Sequence, residues 1–474
     1  MSNIEDYRIE EDLIGQVNVP ADVYYGVQTL RAVKNFDLSG VRLSHFPNFI
    51  RAFAIVKHAA ADANFKLGDL SKEKHDAIVY ACQRIMAGEF HDQFVVDMIQ
   101  GGAGTSTNMN ANEVIANVGL EFMGHAKGEY QYLDPNNDVN MAQSTNDAYP
   151  TAVRLGLLLG HDSLLQSLRQ AICSLKGKGE EFSHILKMGR TQLQDAVPMT
   201  LGQEFCSFAT TLEEDLERFI EWGPELLLDV NLGGTAIGTG INADPAYQGI
   251  AVPRLAELSG HPVRAAKDLI EASSDMGDFV LFSGMLKRTS TKLSKICNDL
   301  RILSSGPRTG IQEITLPPRQ PGSSIMPGKV NPVIPEAVNQ VAFEIIGNDL
   351  AVTLAAEAGQ LQLNVMEPLI AYKLFESTGL LQRALDMLTT LCLDGITANE
   401  EHCKALVQNS IGLVTALNPY IGYKNSTRIA KKAFATGAAV LDLVREEALL
   451  DEEVLQEILK PENMITPRLI PKDR

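Results

Sequence analysis

The sequence predicts a mainly α-helical protein with a long helical bundle at its centre. Apolar residues recur at spacings of three, four or seven, as one face of an α-helix requires. Five segments show this pattern, at residues 157–175, 205–220, 286–303, 338–346 and 381–391. Several of these apolar faces are too extensive for one bundle to bury, so we expect association between subunits. A purely intramolecular core is the alternative.

The N-terminal third is mixed. Residues 8–15 and 23–29 are predicted to be extended or turned, and helical periodicity begins near Phe49. It recurs in two further segments before residue 124. The polar run at 124–140, which contains glycine and proline, then predicts turns.

The C-terminal part predicts shorter helices, and the acidic run at 446–457 is typical of a solvated face. The chain contains no internal repeat and no long linker rich in proline, glycine or serine, so we expect interlocked domains. Three are predicted: a mixed, mostly helical domain at 1–141, the central bundle at 142–396, and a small helical domain at 397–474.

Composition limits the classes of function. The 474 residues include 41 basic and 59 acidic side chains, which give a formal net charge of −18. Nucleic-acid binding is therefore not expected. A membrane role is not expected either, because there is no run of eighteen apolar residues and no basic-then-apolar signal in residues 1–20. Six widely spaced cysteines predict reduced, mostly buried thiols in a cytoplasmic protein.

Residues 322–332 carry the strongest chemical pattern. Two serines, a lysine and an asparagine lie between two glycines and two prolines, which predicts a shaped loop rather than a helix or strand. A plain surface loop is the alternative, but the apolar Ile325 and Met326 favour packing. A phosphate-binding loop is excluded. That motif has four residues between its first glycine and its Gly-Lys pair, followed by Ser or Thr, whereas five residues separate Gly322 from Gly328 and Val330 follows the lysine.

Residues 101–113 contain three glycines in four positions, followed by Thr105, Ser106 and Thr107. The glycines free backbone N–H groups to point at one spot, the hydroxyls add donors, and a helix is predicted to begin beyond them. Anions bind well at such a place. A helix-capping turn explains the same pattern, so both interpretations stay open.

Two further polar segments adjoin predicted helices. Residues 143–150 contain four residues of helix-capping types in a row, at 144–147, where a helix cap needs only one. A cap and a cluster of ligand donors are both possible. Residues 189–198 are predicted to join two helices. Thr191 and Gln192 could donate to a ligand there, and a turn with polar filler is the alternative.

The sequence offers no metal site. All nine histidines lie outside these segments, and no paired Cys/His or H-E-x-x-H spacing is present. No serine-hydrolase elbow is present either.

Four motifs, at residues 102–106, 143–147, 189–195 and 322–332, resemble those of the fumarase/aspartase superfamily in the same order along nearly the whole chain. The resemblance implies three largely helical domains and a homotetramer with a twenty-helix core. It also implies active sites assembled from three subunits. No redox or electrophilic cofactor is implied, although some members respond to Mg²⁺.

Residues 357–368 and Ser144-Thr145-Asn146 resemble the aspartase branch. Gln192 stands where fumarases usually carry the histidine of their water-handling pair, and Glu336 matches that pair's glutamate. This implies reversible elimination of ammonia from L-aspartate to give fumarate. A fumarate hydratase of the same fold and a catalytically silent oligomer are the alternatives.

The resemblance also implies roles for individual residues. Ser323 is the base, acting as an alkoxide with Lys329 as the nearby charge. The groups implied to hold the β-carboxylate are Thr105, Ser144, Thr145 and Ser324. Those implied to hold the α-carboxylate are Lys329 and Asn331. Those implied to surround the amino group are Asn146, Thr191 and Gln192.

Overall fold

The computed structural model describes residues 6–466, and fifteen α-helices lie within this range. In chain order they are α1 (Val27–Asn35), α2 (Pro47–Leu67), α3 (Lys72–Met86), α4 (Thr105–Phe122), α5 (Thr145–Glu181), α6 (Leu201–Glu221), α7 (Tyr247–Ser259), α8 (Gly277–Leu303), α9 (Val333–Glu357), α10 (Glu367–Leu391), α11 (Glu400–Asn409), α12 (Val414–Thr436), α13 (Val440–Glu446), α14 (Glu452–Ile458) and α15 (Pro461–Met464).

Eight short strands in the same part of the chain pair two by two. They are β1 (Tyr7–Asp12), β2 (Gly15–Pro20), β3 (Leu186–Thr191), β4 (Gln194–Thr200), β5 (Asp229–Val230), β6 (Arg264–Ala265), β7 (Ile314–Thr315) and β8 (Thr397–Ala398). The pairs β1–β2, β3–β4 and β7–β8 are antiparallel, and β5–β6 is parallel.

The five long helices predicted from apolar periodicity are confirmed as α5, α6, α8, α9 and α10. On α5 the predicted stripe is almost completely buried, at Leu157, Leu164, Leu168 and Leu175. A stripe of this kind supplies most of a helix's stability, because packing outweighs intrinsic propensity. The mainly α fold class is confirmed as well.

The chain forms two compact units. The first comprises Met1–Gln166, Glu217–Arg288 and Phe343–Gln382, and the second comprises Ser167–Leu216, Thr289–Ala342 and Arg383–Arg474. The three-domain division stays a prediction.

An aromatic cluster organises the first unit around α2. The ring of Phe49 lies 5.2 Å from Phe53, 5.5 Å from Tyr149 and 4.7 Å from Phe375, measured between centroids. Such pairs contribute roughly 0.5–1.5 kcal/mol each beyond the area that they bury. The cluster fixes α2 against the first turns of α5 and against α10.

Residues 189–198 join α5 to α6, as predicted, but they belong to the β3–β4 hairpin of the second unit and do not form a plain helix-to-helix turn. Leu186 pairs with Thr200 and Thr191 with Gln194. The physical reason is long-range packing, since Met188 is buried in a cluster with Val407. Local periodicity carries no information about such a partner.

The shorter helices predicted for the C-terminal part are confirmed. The exception is α12, which spans 23 residues and is broken at Gly422, where φ is 75°. Leu417, Ile429, Val440 and Leu455 form the centre of its apolar cluster.

No helix within residues 6–466 is long and apolar enough to cross a membrane. All six cysteines carry free thiols. Cys173 and Cys206 are exposed, and the other four are buried.

Candidate active site

A glycine-rich turn places Thr105 at the start of α4, as expected. Gly104 precedes the helix with a φ of 92°, a left-handed value that glycine adopts without steric penalty. A Cβ atom at Gly104 would lie 2.3 Å from the ring of Tyr149. Thr105 is exposed, and its hydroxyl donates to Gly102 O at 2.7 Å. The turn thus presents a hydroxyl at the positive end of a helix dipole.

The polar run before α5 does form a helix cap. Ser144 N donates to Asp147 Oδ1 at 2.9 Å, and Asn146 N donates to Ser144 Oγ at 3.2 Å, which is a capping-box arrangement. A hydroxyl that accepts in a cap keeps its own proton to donate. Capping and ligand binding are therefore compatible at Ser144. Thr145 is buried and Asn146 is half-buried.

Asp147 ties this cap to a glycine-rich loop that the sequence motifs did not include. Its Oδ2 accepts from Gly233 N and Thr235 N at 3.0 Å each. Burial raises the pKa of Asp147, and these N–H groups, together with that of Ser144, oppose the rise. The loop at 231–240 has four glycines in ten residues, which was the available signal.

The β3–β4 hairpin carries Thr191 and Gln192 at its tip. Gln192 and Leu193 form the turn with φ values of 54° and 62°. A left-handed conformation costs a non-glycine residue roughly 1–2 kcal/mol. Thr191, Gln192 and Leu193 are all exposed, so contacts at the tip itself do not compensate for this strain.

Charged contacts below the tip hold the hairpin in place. Arg190 Nη1 lies 2.7 Å from Glu313 Oε1, and Lys187 Nζ lies 2.8 Å from Glu313 Oε2. The Glu313 side chain is completely buried. On the other strand, Ser410 Oγ donates to Asp195 Oδ2 at 2.6 Å. Both strands are thus anchored one or two residues from the turn.

The loop between β7 and α9 wraps its backbone around Ser323. The Oγ atom of Ser323 accepts from Ile325 N at 3.2 Å and from Met326 N at 3.1 Å. Hydrogen bonds to a hydroxyl oxygen favour its anionic form. The side chains of Ile325 and Met326 are 84% and 47% exposed, so the expectation that they pack is wrong within the single chain. Residues 6–466 of one chain do not supply a cover for them.

Hydrogen bonds close the base of the same loop. Gly322 N donates to Lys329 O at 2.8 Å, and Asn331 Nδ2 donates to Gly322 O at 2.8 Å. A Cβ atom at Gly322 would lie 2.7 Å from Lys329 O, so only glycine permits this closure. The loop is therefore shaped, as its composition predicted.

An open cleft of about 850 Å³ brings three predicted site residues together: Lys329, Asn331 and Glu336. Arg301 and Ser305 line it as well. The second unit thus joins an ammonium, an amide and a carboxylate at one cleft beside the serine loop.

The predicted site residues are divided between the two units. Thr105, Ser144, Thr145 and Asn146 belong to the first unit. Those that belong to the second unit are Thr191, Gln192, Ser323, Ser324, Lys329, Asn331 and Glu336. In the part of the chain that the structure describes, no group of three or more His, Cys, Asp or Glu side chains is arranged to hold a metal ion.

Two family models match the chain. One, described as lyase, matches residues 15–347, and the other, described as fumarase C C-terminus, matches residues 413–466. The chain belongs to the fumarase/aspartase superfamily. Its mainly α fold and the order of its four motifs agree with that membership.

Relatives in the superfamily match over almost the full length. An aspartate ammonia-lyase of Pseudomonas aeruginosa is 74% identical over 471 residues and covers 99% of each chain. A cobalt-bound fumarate lyase:delta crystallin of Brucella melitensis is 56% identical, with a TM-score of 0.94 over 98% of this chain and 100% of that chain. A class II fumarase of Schistosoma mansoni is 35% identical, with a TM-score of 0.89 over 97% and 99%.

Proposed function

We infer that this protein is an aspartate ammonia-lyase, which reversibly eliminates ammonia from L-aspartate to give fumarate. Relatives from several bacteria, 55–74% identical over almost the full chain, carry that name. The geometric observation that carries the chemistry is the pair of backbone N–H groups on Ser323 Oγ. Two such donors would stabilise a serine anion, and removal of the Cβ proton needs a strong base.

The reaction removes a weakly acidic proton from Cβ of L-aspartate. The electron pair spreads into the β-carboxylate, giving a dianionic aci-carboxylate, and then expels ammonia from Cα. Catalysis therefore requires a base beside Cβ and neutral donors around the β-carboxylate. Additional carboxylates at that place would oppose the intermediate by like charge.

We assign Ser323 as the base, acting as an alkoxide with Lys329 as the nearby cation. The groups assigned to the β-carboxylate are Thr105, Ser144, Thr145 and Ser324; those assigned to the α-carboxylate are Lys329 and Asn331. Those assigned to the amino group are Asn146, Thr191 and Gln192. By the precedent of oxyanion holes, each neutral donor lost costs about 2.7–4 kcal/mol of transition-state stabilisation.

Gln192 separates the ammonia-lyase from a hydratase. An amide cannot accept and return a proton near neutral pH as the histidine of a water-handling pair does. Glu336 lines the cleft with Lys329, but its histidine partner is absent from position 192.

Purified protein is expected to form fumarate from L-aspartate, seen as a rise in ultraviolet absorbance, and to form none from L-malate. The reason is that position 192 offers an amide, not an imidazole, to the leaving group. Absorbance should be followed in parallel samples at equal substrate concentration. A rise in absorbance with L-malate alone would indicate a hydratase. No rise with either substrate would favour an oligomer without catalytic activity.

We propose that the enzyme is a homotetramer whose sites are completed by three subunits. The support is an exposed apolar stripe on α9, where Phe343, Leu350 and Leu354 are 60–63% exposed. Monomers rarely expose such stripes, which mark association surfaces. The exposed Ile325 and Met326 of the serine loop also require cover from outside the single chain.

Leu350→Asp is expected to break the assembly, because it places a charge in the centre of this stripe. Light scattering after gel filtration should then give a smaller mass, and activity should fall with it, since the proposed sites are shared. Phe434→Asp is the matched control: Phe434 is 84% exposed on α12, a helix of the other compact unit. A variant at position 350 with unchanged mass would contradict the proposed interface.

We propose that the elimination itself needs no redox or electrophilic cofactor, since the base and the donors are side chains. Activation by Mg²⁺ stays a prediction, to be tested by activity with and without added Mg²⁺ after chelation. A cytoplasmic location is also proposed, because that reducing compartment suits the free thiols.

A further inference from the structure

The backbone carbonyl of Asn146, in the first turn of α5, cannot form the usual hydrogen bond within its helix. In a regular α-helix this oxygen accepts from the N–H of the residue four positions later. That residue is Pro150, which has no N–H and whose ring crowds the carbonyl four residues before it. The sequence therefore leaves this acceptor to be satisfied from outside the helix.

Asn231, at the start of the glycine-rich loop 231–240, supplies the missing donor. Its Nδ2 donates to Asn146 O at 3.0 Å and to Ser273 Oγ at 3.1 Å. Its Oδ1 accepts from Thr151 Oγ1 at 3.4 Å. The residue is only 3% exposed, and its amide nitrogen uses both of its N–H groups. Buried contacts on three sides thus fix the orientation of this amide.

The same loop fixes the side chain of Asn146. Asn146 Nδ2 donates to Ala236 O at 2.8 Å. Because a carbonyl oxygen only accepts, the nitrogen of this amide must face Ala236 and Oδ1 must lie at its other end. The side chain is half-buried, and within residues 6–466 its Oδ1 accepts no hydrogen bond. The loop therefore leaves Oδ1 of Asn146 as an acceptor for a ligand.

The loop keeps this shape against a conformational cost. Thr235 is β-branched and has a φ of 55°, in the left-handed region that such residues rarely adopt. Its N–H and that of Gly233 both donate to Asp147 Oδ2. Strain of this kind persists only where surrounding contacts enforce it, and it is concentrated at functional sites. With the two contacts to Asn146, these bonds tie the loop to the start of α5.

We propose that Asn231 is a positioning residue, which holds Asn146 so that its Oδ1 accepts from the α-ammonium group of L-aspartate. The inference rests on the proposed function, which assigns Asn146 to the amino group. An ammonium group offers only donors, so the oxygen of an amide is a suitable partner and the nitrogen is not. Asn231 is occupied by its own buried contacts and acts only through Asn146.

The test is a double-mutant cycle of Asn231→Ala and Asn146→Ala in the full-length protein. Asn231→Ala is expected to lower kcat/KM for L-aspartate by about 10- to 100-fold, since misplacing a group by about 1 Å is known to cost up to about a hundredfold. In the Asn146→Ala background the same change should cost less than about twofold, because the positioned group is already absent. Equal losses in both backgrounds would overturn the proposal.

Inhibition by succinate separates positioning from damage to the rest of the site. Succinate has two carboxylates but no amino group, so Asn231→Ala should change its inhibition constant by less than about twofold. Weaker inhibition that matches the loss with L-aspartate would contradict the proposal, because it would show a general effect on the site.

Asn409→Ala is the matched control. Asn409 also donates its Nδ2 to a backbone carbonyl, that of Ala405 at 2.9 Å, but it is exposed at the end of α11. This variant should keep the kcat/KM for L-aspartate and the succinate inhibition constant of the unmodified protein. An Asn231→Ala variant with the same two constants as Asn409→Ala would reject the role of Asn231.

Ser273→Ala provides a milder second variant, which decides the question if Asn231→Ala does not fold. It removes the hydroxyl oxygen that receives one N–H of Asn231 and introduces no larger side chain. We expect kcat/KM for L-aspartate to fall by about two- to tenfold, which corresponds to one net hydrogen bond, with succinate inhibition unchanged. Unchanged kcat/KM, or equal effects on both ligands, would overturn the proposal.

The failure of this proposal and the failure of the proposed function give different results. Turnover of L-aspartate by the unmodified protein, with Asn231→Ala as active as Asn409→Ala, would reject only the role of Asn231. No fumarate from L-aspartate with the unmodified protein would instead reject the proposed function, and the role of Asn231 with it.

Discussion

Ser323→Ala is expected to lower kcat for L-aspartate elimination by at least about a thousandfold, a range typical of removing a positioned base. The methyl group can neither accept the Cβ proton nor engage Ile325 N and Met326 N as Oγ does. Fumarate absorbance under saturating L-aspartate measures the loss. The elution volume and the circular dichroism spectrum should be unchanged, because within residues 6–466 this hydroxyl is hydrogen-bonded only inside its own loop.

Ser207→Ala is the control for this substitution. Ser207 is an exposed serine on α6 whose hydroxyl donates only to Glu204 O, within its own helix. It should retain full activity. Near-normal turnover by Ser323→Ala would remove serine-base chemistry from the account.

Glu313→Ala is expected to lower the free energy of unfolding by about 3–5 kcal/mol, the usual effect of leaving a buried charge without its partner. Here Lys187 and Arg190 would both lose their shared carboxylate. Lys187 keeps an ion pair with Glu204, so the loss falls mainly on Arg190 beside the turn. Chemical denaturation followed by circular dichroism measures the change.

Hydrogen exchange locates the effect of Glu313→Ala. Amides of β3 and β4 should exchange faster, because the strained turn at Gln192 and Leu193 loses one of its two anchors. Glu401→Ala, an exposed glutamate on α11, is the control and should change neither stability nor exchange in the hairpin. A variant at 313 as stable as this control would show that the ion cluster does not hold the hairpin.

The helices were predictable because their cause is local. On α5 the stripe from Leu157 to Leu175 repeats with the period of the helix, and the same repeat marks α6, α8, α9 and α10. The β3–β4 hairpin was not predictable in this way. Its anchors, Glu313 and Ser410, lie more than 100 residues further along the chain, beyond the reach of any periodicity.

The site residues also differ in whether the local sequence could reveal them. The loop around Ser323 and the turn before Thr105 could be found in the sequence because both are rich in glycine and hydroxyl residues. Glycine is needed there because the backbone adopts conformations that other residues avoid. Lys57 is completely buried on α2, where its Nζ donates to Asn108, Asn140 and Gln143 beside two of the motifs, and no motif marked it. One lysine among Phe53, Ile55 and Val56 was nevertheless a signal, because a lysine is seldom fully buried.

The loop at 231–240 was overlooked for a different reason. Its role is to receive Asp147 through backbone N–H groups, and a sequence records backbone donors only as glycine content. In the proposed tetramer Ser323 and the donors near Ser144 would come from different subunits, and no single-chain pattern contains that arrangement.

The most direct test of the proposed ammonia-lyase activity is to measure fumarate and ammonia in the same sample while the purified protein acts on L-aspartate. Fumarate is read from its absorbance and ammonia by an independent assay. Both products are expected to appear at equal rates and in a one-to-one ratio. Fumarate without ammonia, or neither product from L-aspartate, would contradict the assignment of this chain as an ammonia-lyase.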